Sequence, residues 1–415
     1  MPSALRKEPI LALDKGEAKV PLAADSDAVE LIEAYEEGNA LFCSGSCTLL
    51  GQGLASLAVP RAMQEQPREL AEHVALALNQ GQGSVVLGAI PFELGLPPRL
   101  LVPRSVRRAG PLLLPPRRWL RSFEPAQVMR SIPTPASYRD AVSHALSLIE
   151  SKQLTKVVLG RLLELDFGQP LDVAALLRTL LACRRGLGFA MDLGEATGNQ
   201  LRRRTLLGIS PELLVRRSGP LVTSQPLAGS VSRHEDPVQD RRGAEHLLAS
   251  DKDRREHAIV VEAVVDCLRQ YCSNVERAAE PSLVQTETLW HLGTEVRGVL
   301  RDPATTSLEL ALALHPTPAV CGQPLSAARR AIALLEPCQR GFFTGAVGWC
   351  DASGDGEWAV TIRAGEVEED RLRLYAGAGI VAGSEPALEL AETSAKLNTL
   401  LRILGVPRDS EGSNP

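Results

Sequence analysis

Aromatic residues are scarce, only 4% of the 415 residues. That is too few for a surface that stacks nucleic-acid bases. Neither sign of charge is in excess: 45 Lys and Arg against 50 Asp and Glu leave a net charge of −5. The balance excludes a chain-wide polycation built to coat nucleic acid, though not a local anion pocket. No apolar run approaches the roughly 20 uncharged residues that cross a bilayer. The stretch Met1 to Pro21 mixes Arg6, Lys7, Glu8, Asp14 and Glu17 with apolar residues and lacks the apolar centre of a secretory signal. Cysteine is sparse and scattered, eight in all. Cys43 and Cys47 form a lone C-x-x-x-C, with no second pair or nearby His to complete a zinc set. Reduced cysteines in a cytoplasmic protein are the expectation, and Cys43 and Cys47 receive no functional reading.

What is present is ordinary globular material: 44% hydrophobic and 23% charged residues, enough chain to bury a large core. Residues 1–27 and 406–415 are polar, without periodic apolar positions, and are expected to be flexible ends. Residues 28–136 are weakly patterned. A helix is expected over Pro67–Asn79, a strand over Ser84–Ile90, and irregular surface with short extended pieces over Pro103–Trp119. Residues 137–405 are better patterned. Tyr138–Glu150 reads as an amphipathic helix and Lys156–Leu165 as a strand. Gly194–Arg204 reads as a loop, Leu206–Arg216 and Leu221–Leu227 as strands, and Arg241–Tyr271 as the longest helix. Strands return at Phe343–Cys350, Glu357–Ile362 and Leu372–Tyr375, with a hairpin turn at Gly354–Gly356. Pro386–Leu404 reads as a final helix. Strands cluster with little strand–helix alternation, so the expected class is α+β with a mainly antiparallel sheet.

On the final helix Glu389, Glu392 and Lys396 are spaced i, i+3, i+7 and share a face, while Leu388, Leu397, Leu400 and Leu401 lie largely on another and can pack the core. That face suits either solvated ion pairs or carboxylate ligands for a hard cation with a Lys beside them. Glu256, on the long helix, offers a matching carboxylate or plain surface charge. Lys156 opens an apolar run, Val157-Val158-Leu159. It is either a snorkelling strand-edge Lys or a desolvated amine able to act as a base near neutral pH. Glu212, in Ser210-Pro211-Glu212, is either a turn carboxylate or an acid whose pKa is raised by an apolar site. The Gly377 to Gly383 run has the wrong spacing for G-x-G-x-x-G and no βαβ context. It better suits backbone N–H groups that bind a carboxylate, with Arg363 as either a bidentate carboxylate clamp or a surface salt bridge. Together these residues suit Mg²⁺-assisted chemistry on a small carboxylic acid.

Ordered blocks allow a further step. They are Lys156-Val-Val-Leu-Gly-Arg161, Gly208-Ile-Ser-Pro-Glu-Leu-Leu214, Pro226-Leu-Ala-Gly-Ser230, Ser250-Asp-Lys-Asp-Arg-Arg-Glu-His257, Leu289-Trp-His291 and Leu314-His-Pro-Thr-Pro-Ala-Val-Cys-Gly322. Gly345-Ala-Val-Gly-Trp349, Gly356-Glu-Trp-Ala-Val-Thr-Ile-Arg363, Tyr375-Ala-Gly-Ala-Gly-Ile-Val381 and Glu392-Thr-Ser-Ala-Lys396 follow. With them the chain resembles the chorismate-utilising enzymes, which include isochorismate, salicylate, anthranilate and aminodeoxychorismate synthases. The resemblance implies the anthranilate synthase component I-like fold: a large two-layered, mainly antiparallel sheet surrounded by helices, with residues 137–405 as the chorismate-binding catalytic region and 28–136 as the N-terminal part.

It also implies roles. Glu256 and Glu392 would ligate Mg²⁺, with Glu389 behind them. Gly229, Ser230, Arg363, Gly377, Gly379 and Lys396 would bind carboxylates, and His291 and Ala319 would line the substrate pocket. Aminodeoxychorismate synthases carry a nucleophilic Lys where this chain has Ala228. Isochorismate and salicylate synthases carry a Lys at the position of Lys156, because their nucleophile is water. The form His315-Pro-Thr-Pro-Ala319 looks like isochorismate synthases. The expectation is an isochorismate synthase with Lys156 as base and Glu212 as acid, a cytoplasmic monomer whose product feeds siderophore, salicylate or menaquinone biosynthesis. A salicylate synthase that also eliminates pyruvate is the alternative, and a non-catalytic chorismate-binding subunit is a more distant one.

Overall fold

The computed structural model describes residues 27–63, 66–93, 95–183, 186–197, 200–286 and 289–403. The two expected flexible ends lie outside the described residues, apart from Asp27. Along the chain run α1 (Ala28–Glu33), β1 (Ala40–Cys43), β2 (Thr48–Ser56), α2 (Pro67–Ala77), β3 (Val85–Ile90), β4 (Arg99–Ala109), β5 (Val128–Ile132), α3 (Pro135–Glu150) and β6 (Lys156–Asp166). Then come α4 (Val173–Cys183), β7 (Leu187–Asp192), β8 (Glu195–Thr197), β9 (Gln200–Arg202), β10 (Thr205–Ser210), β11 (Leu213–Ser218), β12 (Leu221–Gln225) and β13 (Leu227–Ser232). Next are α5 (Pro237–Ala249), α6 (Asp251–Tyr271), β14 (Cys272–Arg277), β15 (Ser282–Gln285), β16 (Leu289–Gly293), β17 (Val296–Leu300) and α7 (Ser307–Leu314). The chain continues through β18 (Gly322–Gln323), α8 (Leu325–Leu335), β19 (Ala346–Asp351), β20 (Gly356–Val360), β21 (Ala364–Glu368), β22 (Arg371–Val381) and α9 (Pro386–Ile403).

The main ladders are all antiparallel and form two layers joined at β4. One runs β4–β2–β1–β7–β10–β21–β22–β6. The other runs β4–β3–β19–β20–β11–β12–β17–β14. Phe42, Leu49, Phe189 and Leu206 from the first layer pack on Val85, Leu87, Val347 and Ala359 from the second, so one core lies between the sheets. A second core sits where α1, α4 and α9 cover the outside of the first layer. A third sits where α2, α6 and α7 cover the second. The fold is therefore the expected two-layered α+β arrangement. No helix among the described residues is long and apolar enough to cross a membrane. None of the eight cysteines forms a disulfide.

Several local expectations need correction. Pro103 lies inside β4, not in irregular chain. It pairs with Leu54 of β2, while β3 borders β4 only from Arg99 to Leu101, so its missing N–H removes no ladder bond on an open edge. Gly194–Arg204 is largely the small hairpin β8–β9. Leu206–Arg216 is two strands, broken at Pro211-Glu212. Arg241–Tyr271 is two helices, because the Ser250 side chain accepts from Asp253 N at 3.3 Å and starts α6 afresh.

Along β6 the ladder to β22 is continuous, but the other edge is not. β18 covers Lys156 and Val157, and β5 begins at Leu162. Part of the gap is filled by side chains. Arg340 Nη2 donates to Val158 O at 2.7 Å, and Gly160 N donates to Glu336 Oε1 at 2.7 Å. The two side chains are themselves paired at 2.5 Å, and the Arg340 guanidinium lies 4.4 Å from the Phe92 ring centre. Both are buried, so removing one leaves the other charged and uncompensated. Arg340→Met is expected to cost about 3–5 kcal/mol, read as a lower urea midpoint. The added change Glu336→Gln should recover part of the loss. An unchanged midpoint would remove this pair from the account of stability.

Candidate active site

One deep pocket of about 880 Å³, mouth included, opens beside the C-terminal half of β22. Its wall contains eleven of the thirteen residues singled out from the sequence: Glu212, Gly229, Ser230, Glu256, His291, Ala319, Arg363, Gly377, Gly379, Glu392 and Lys396. Lys156 and Glu389 lie behind it.

Glu212 occupies the break between β10 and β11. Ser210 Oγ accepts from its backbone N–H at 3.2 Å and holds the turn. The carboxyl is 2% exposed. Burial pushes its pKa up to about 8, against the smaller opposing pull of the Leu227 N–H and the Lys156 charge. The carboxyl is therefore largely protonated at neutral pH and able to donate. The Leu227 N–H reaches Glu212 Oε1 at 3.5 Å.

Lys156 begins β6 between Gln323 of β18 and Val381 of β22 and is 0% exposed. This is a fully buried Lys, not a snorkelling one. Its Nζ lies 2.9 Å from Glu256 Oε1, an ionic contact off the direction of a hydrogen bond. The contact is possible because residue 379 is glycine. A Cβ there would come within 2.5 Å of Glu256 Oε1 and 3.2 Å of Lys156 Cε.

Facing helices supply the rest. Glu392 of α9 accepts from Lys396 Nζ at 2.6 Å and from Ser230 Oγ at 3.2 Å. Burial alone would raise its pKa; Lys396 overrides that, and the carboxyl is held below its usual range. Lys396 Nζ also donates to Gly377 O at 2.7 Å. Arg363 Nη1 donates to Lys396 O at 3.4 Å, so two cations share one end of the pocket. Arg363 sits at φ 53°, a left-handed backbone that is uncommon for a side-chain-bearing residue and found chiefly at functional sites. Gly229 also has positive φ, 78°, at a register shift in the β13–β16 ladder, which turns its backbone into the pocket. Burial drives the His291 pKa down to about 3, helped by Arg363 and Lys396, so the ring is neutral.

Around Glu392 further carboxylates gather from α6 and α9. Burial first, then Glu392 and Glu256, raise the pKa of Glu389, and Lys252 Nζ lies 3.4 Å from its Oε1. Burial, then repulsion from Glu256 and Glu392, raises that of Asp253 as well. Among the described residues no three His, Cys, Asp or Glu side chains converge as a ready-made metal centre. The donor chemistry nonetheless fits Mg²⁺, which takes one or two carboxylates and keeps water in its remaining positions. Glu256 and Glu392 are the pair at the wall, with Glu389 behind.

The sequence reading missed an apolar side of the pocket. Val158, Ile362, Phe343 and Tyr375 line it, and the last two rings stack at 5.1 Å and 13°. Tyr375 was reachable: it lies two and four residues before Gly377 and Gly379 on one strand, hence on the same face. Lys252 was too, four residues before Glu256 on α6. Leu388, expected to pack, is 61% exposed, whereas Leu397, Leu400 and Leu401 are buried as expected.

Comparison with known proteins gives the family. A sequence model described as chorismate binding enzyme matches residues 117–405. Isochorismate synthase DhbC of Bacillus subtilis is 46% identical over 388 residues, 92% of this chain and 97% of that protein. The crystal structure of DhbC from Bacillus anthracis superposes with a TM-score of 0.84 at 42% identity, covering 92% of this chain and 100% of that one. Anthranilate synthase component I from Streptococcus pneumoniae shares the fold, with a TM-score of 0.66 at 19% identity over 88% of this chain and 90% of that one. The chain belongs to the chorismate binding enzyme family.

Proposed function

We propose that the protein is an isochorismate synthase. The observation that carries the reading is a carboxylic acid kept protonated at neutral pH, Glu212, within electrostatic reach of a fully buried amine, Lys156, at one pocket. Lys156 must first release to solvent the proton that makes its contact with Glu256 ionic, and as the neutral amine it takes a proton from a water that attacks C2 of chorismate. Glu212 gives a proton to the C4 hydroxyl as it leaves, and the ring double bonds shift. One water is taken up and one is released, so the product is an isomer and the balance needs no redox partner. To reach that water the amine must exchange its contact with Glu256 for one with the pocket. Arg363, Lys396 and the N–H groups near Gly229, Ser230, Gly377 and Gly379 hold the substrate carboxylates. His291 and Ala319 flank the ring. Mg²⁺, held by Glu256 and Glu392, would neutralise the ring carboxylate.

Ala228 lines the pocket and offers no nucleophile, which favours water over a covalent amination route. The reading places the enzyme in the cytoplasm as a monomer. Its product would serve siderophore, salicylate or menaquinone biosynthesis, through a separate enzyme that consumes isochorismate.

The test is proton NMR of chorismate with protein and Mg²⁺ and no ammonia source. A mixture of chorismate and isochorismate without pyruvate is expected. Salicylate with matching pyruvate would replace the reading by a salicylate synthase, and unchanged chorismate with folded protein would overturn catalysis. Glu256→Gln is expected to raise the Mg²⁺ concentration for half-maximal rate by about tenfold or more. An unchanged titration would remove Glu256 from the metal site.

A further inference from the structure

Leu227 to Ser230 and His291 reach the pocket from a sheet that, among the described residues, shares no ladder with the two main layers, the three strands β13–β16–β15. Side chains and neighbouring helices must therefore fix this sheet. The His291 ring has no hydrogen-bond partner at Nε2 among the described residues, and its other hydrogen bond is to the Gly229 backbone of β13, so its place in the pocket follows that of the β13–β16 pair.

One carboxylate ties the sheet down. Asp240 of α5, 8% exposed, accepts Arg233 Nε at 3.0 Å on Oδ1 and 2.9 Å on Oδ2, and its Oδ2 lies 2.8 Å from Arg233 Nη2 in an ion pair. Its Oδ1 also accepts His234 N at 3.0 Å and Trp290 Nε1 at 3.1 Å. Arg233 follows directly on β13, lies 5.0 Å from the Trp290 ring centre, and donates through Nη1 to Thr286 O at 3.1 Å, at the β15–β16 hairpin. Asp240 thus joins α5, the exit of β13 and the hairpin, immediately beside His291.

We infer that Asp240 is a positioning residue for the pocket, setting the place of His291 through Trp290. The inference rests on chorismate being the substrate for its kinetic arm only. Asp240→Asn is expected to raise the chorismate KM about tenfold while kcat changes less than about threefold. In a His291→Ala background the same substitution should add less than about twofold, because the effect passes through the missing ring. A general loss of structure would add in full. A second readout needs no substrate. The His291 imidazole resonance, identified among the seven His by its loss in His291→Ala, should shift in Asp240→Asn. If that variant does not fold, Trp290→Phe removes one donor, leaves the Arg233 pair intact, and should shift the same resonance. A KM effect that persists in the His291→Ala background, or a resonance that stays in place, overturns the inference. Wild-type protein that leaves chorismate unchanged defeats the functional reading, while the resonance still tests the clamp.

Discussion

Lys156→Ala is expected to lower kcat for isochorismate formation by about 10²–10⁴, the usual contribution of a general base, with the chorismate Kd within a few-fold of wild type. The split arises from geometry. Lys156 lies behind the wall, whereas Arg363 and Lys396, the groups assigned to substrate carboxylates, line it. Removing the amine also leaves Glu256 without the 2.9 Å contact, so circular dichroism and an equilibrium Kd must accompany the rates. Lys156→Arg keeps a cation but supplies no base at neutral pH. It should be as inactive as the alanine variant. Near-normal turnover in either would end the base assignment. Loss of chorismate binding equal to the loss of rate would make Lys156 a binding group instead.

Glu212→Gln should lower kcat by a similar factor and also change the pH profile. Wild-type kcat/KM is expected to fall as pH rises through about 8, where the free enzyme's acid loses its proton. The glutamine variant has no such limb. Stability supplies an independent check. The carboxyl's folded pKa, about 8, exceeds its ordinary 4.5, so its contribution is complete below about 4.5 and is lost as pH rises through 8. Wild type should lose on the order of 5 kcal/mol across that window, read from urea midpoints, and Glu212→Gln should not. A wild-type midpoint that is flat with pH would mean the buried carboxyl is not neutral, and the acid assignment would go with it.

The sequence was most informative where a residue's neighbours along the chain decide its fate. Glu389, Glu392 and Lys396 do share a face of α9, and the strand beginning at Lys156 runs where its apolar pattern put it. It was least informative where the deciding partner is distant. Nothing near Lys156 announces that its contact will be Glu256, a hundred residues on. Nothing near Tyr375 announces Phe343 stacked on it. Two misreadings had local signals that were outweighed. Ser250-x-x-Asp253 is a helix-start pattern inside a long helical run, and Pro103 suggested irregular chain although an open edge tolerates it. Choosing water over ammonia as nucleophile rested on Lys156 and Ala228 together. One lies beneath the pocket and the other in its wall, a relation that only the fold reveals.

The ion pair that patches β6 has a consequence for solubility. A half-open sheet edge is a template on which another chain can add a strand. Here backbone groups left without a ladder partner between β18 and β5 are answered by a guanidinium and a carboxylate from one short stretch, Glu336 to Arg340. A foreign strand would have to expel two buried charges before forming its first backbone bond there. The patch thus closes the gap in β6 without the bulk of a further strand beside Val158, which lines the pocket.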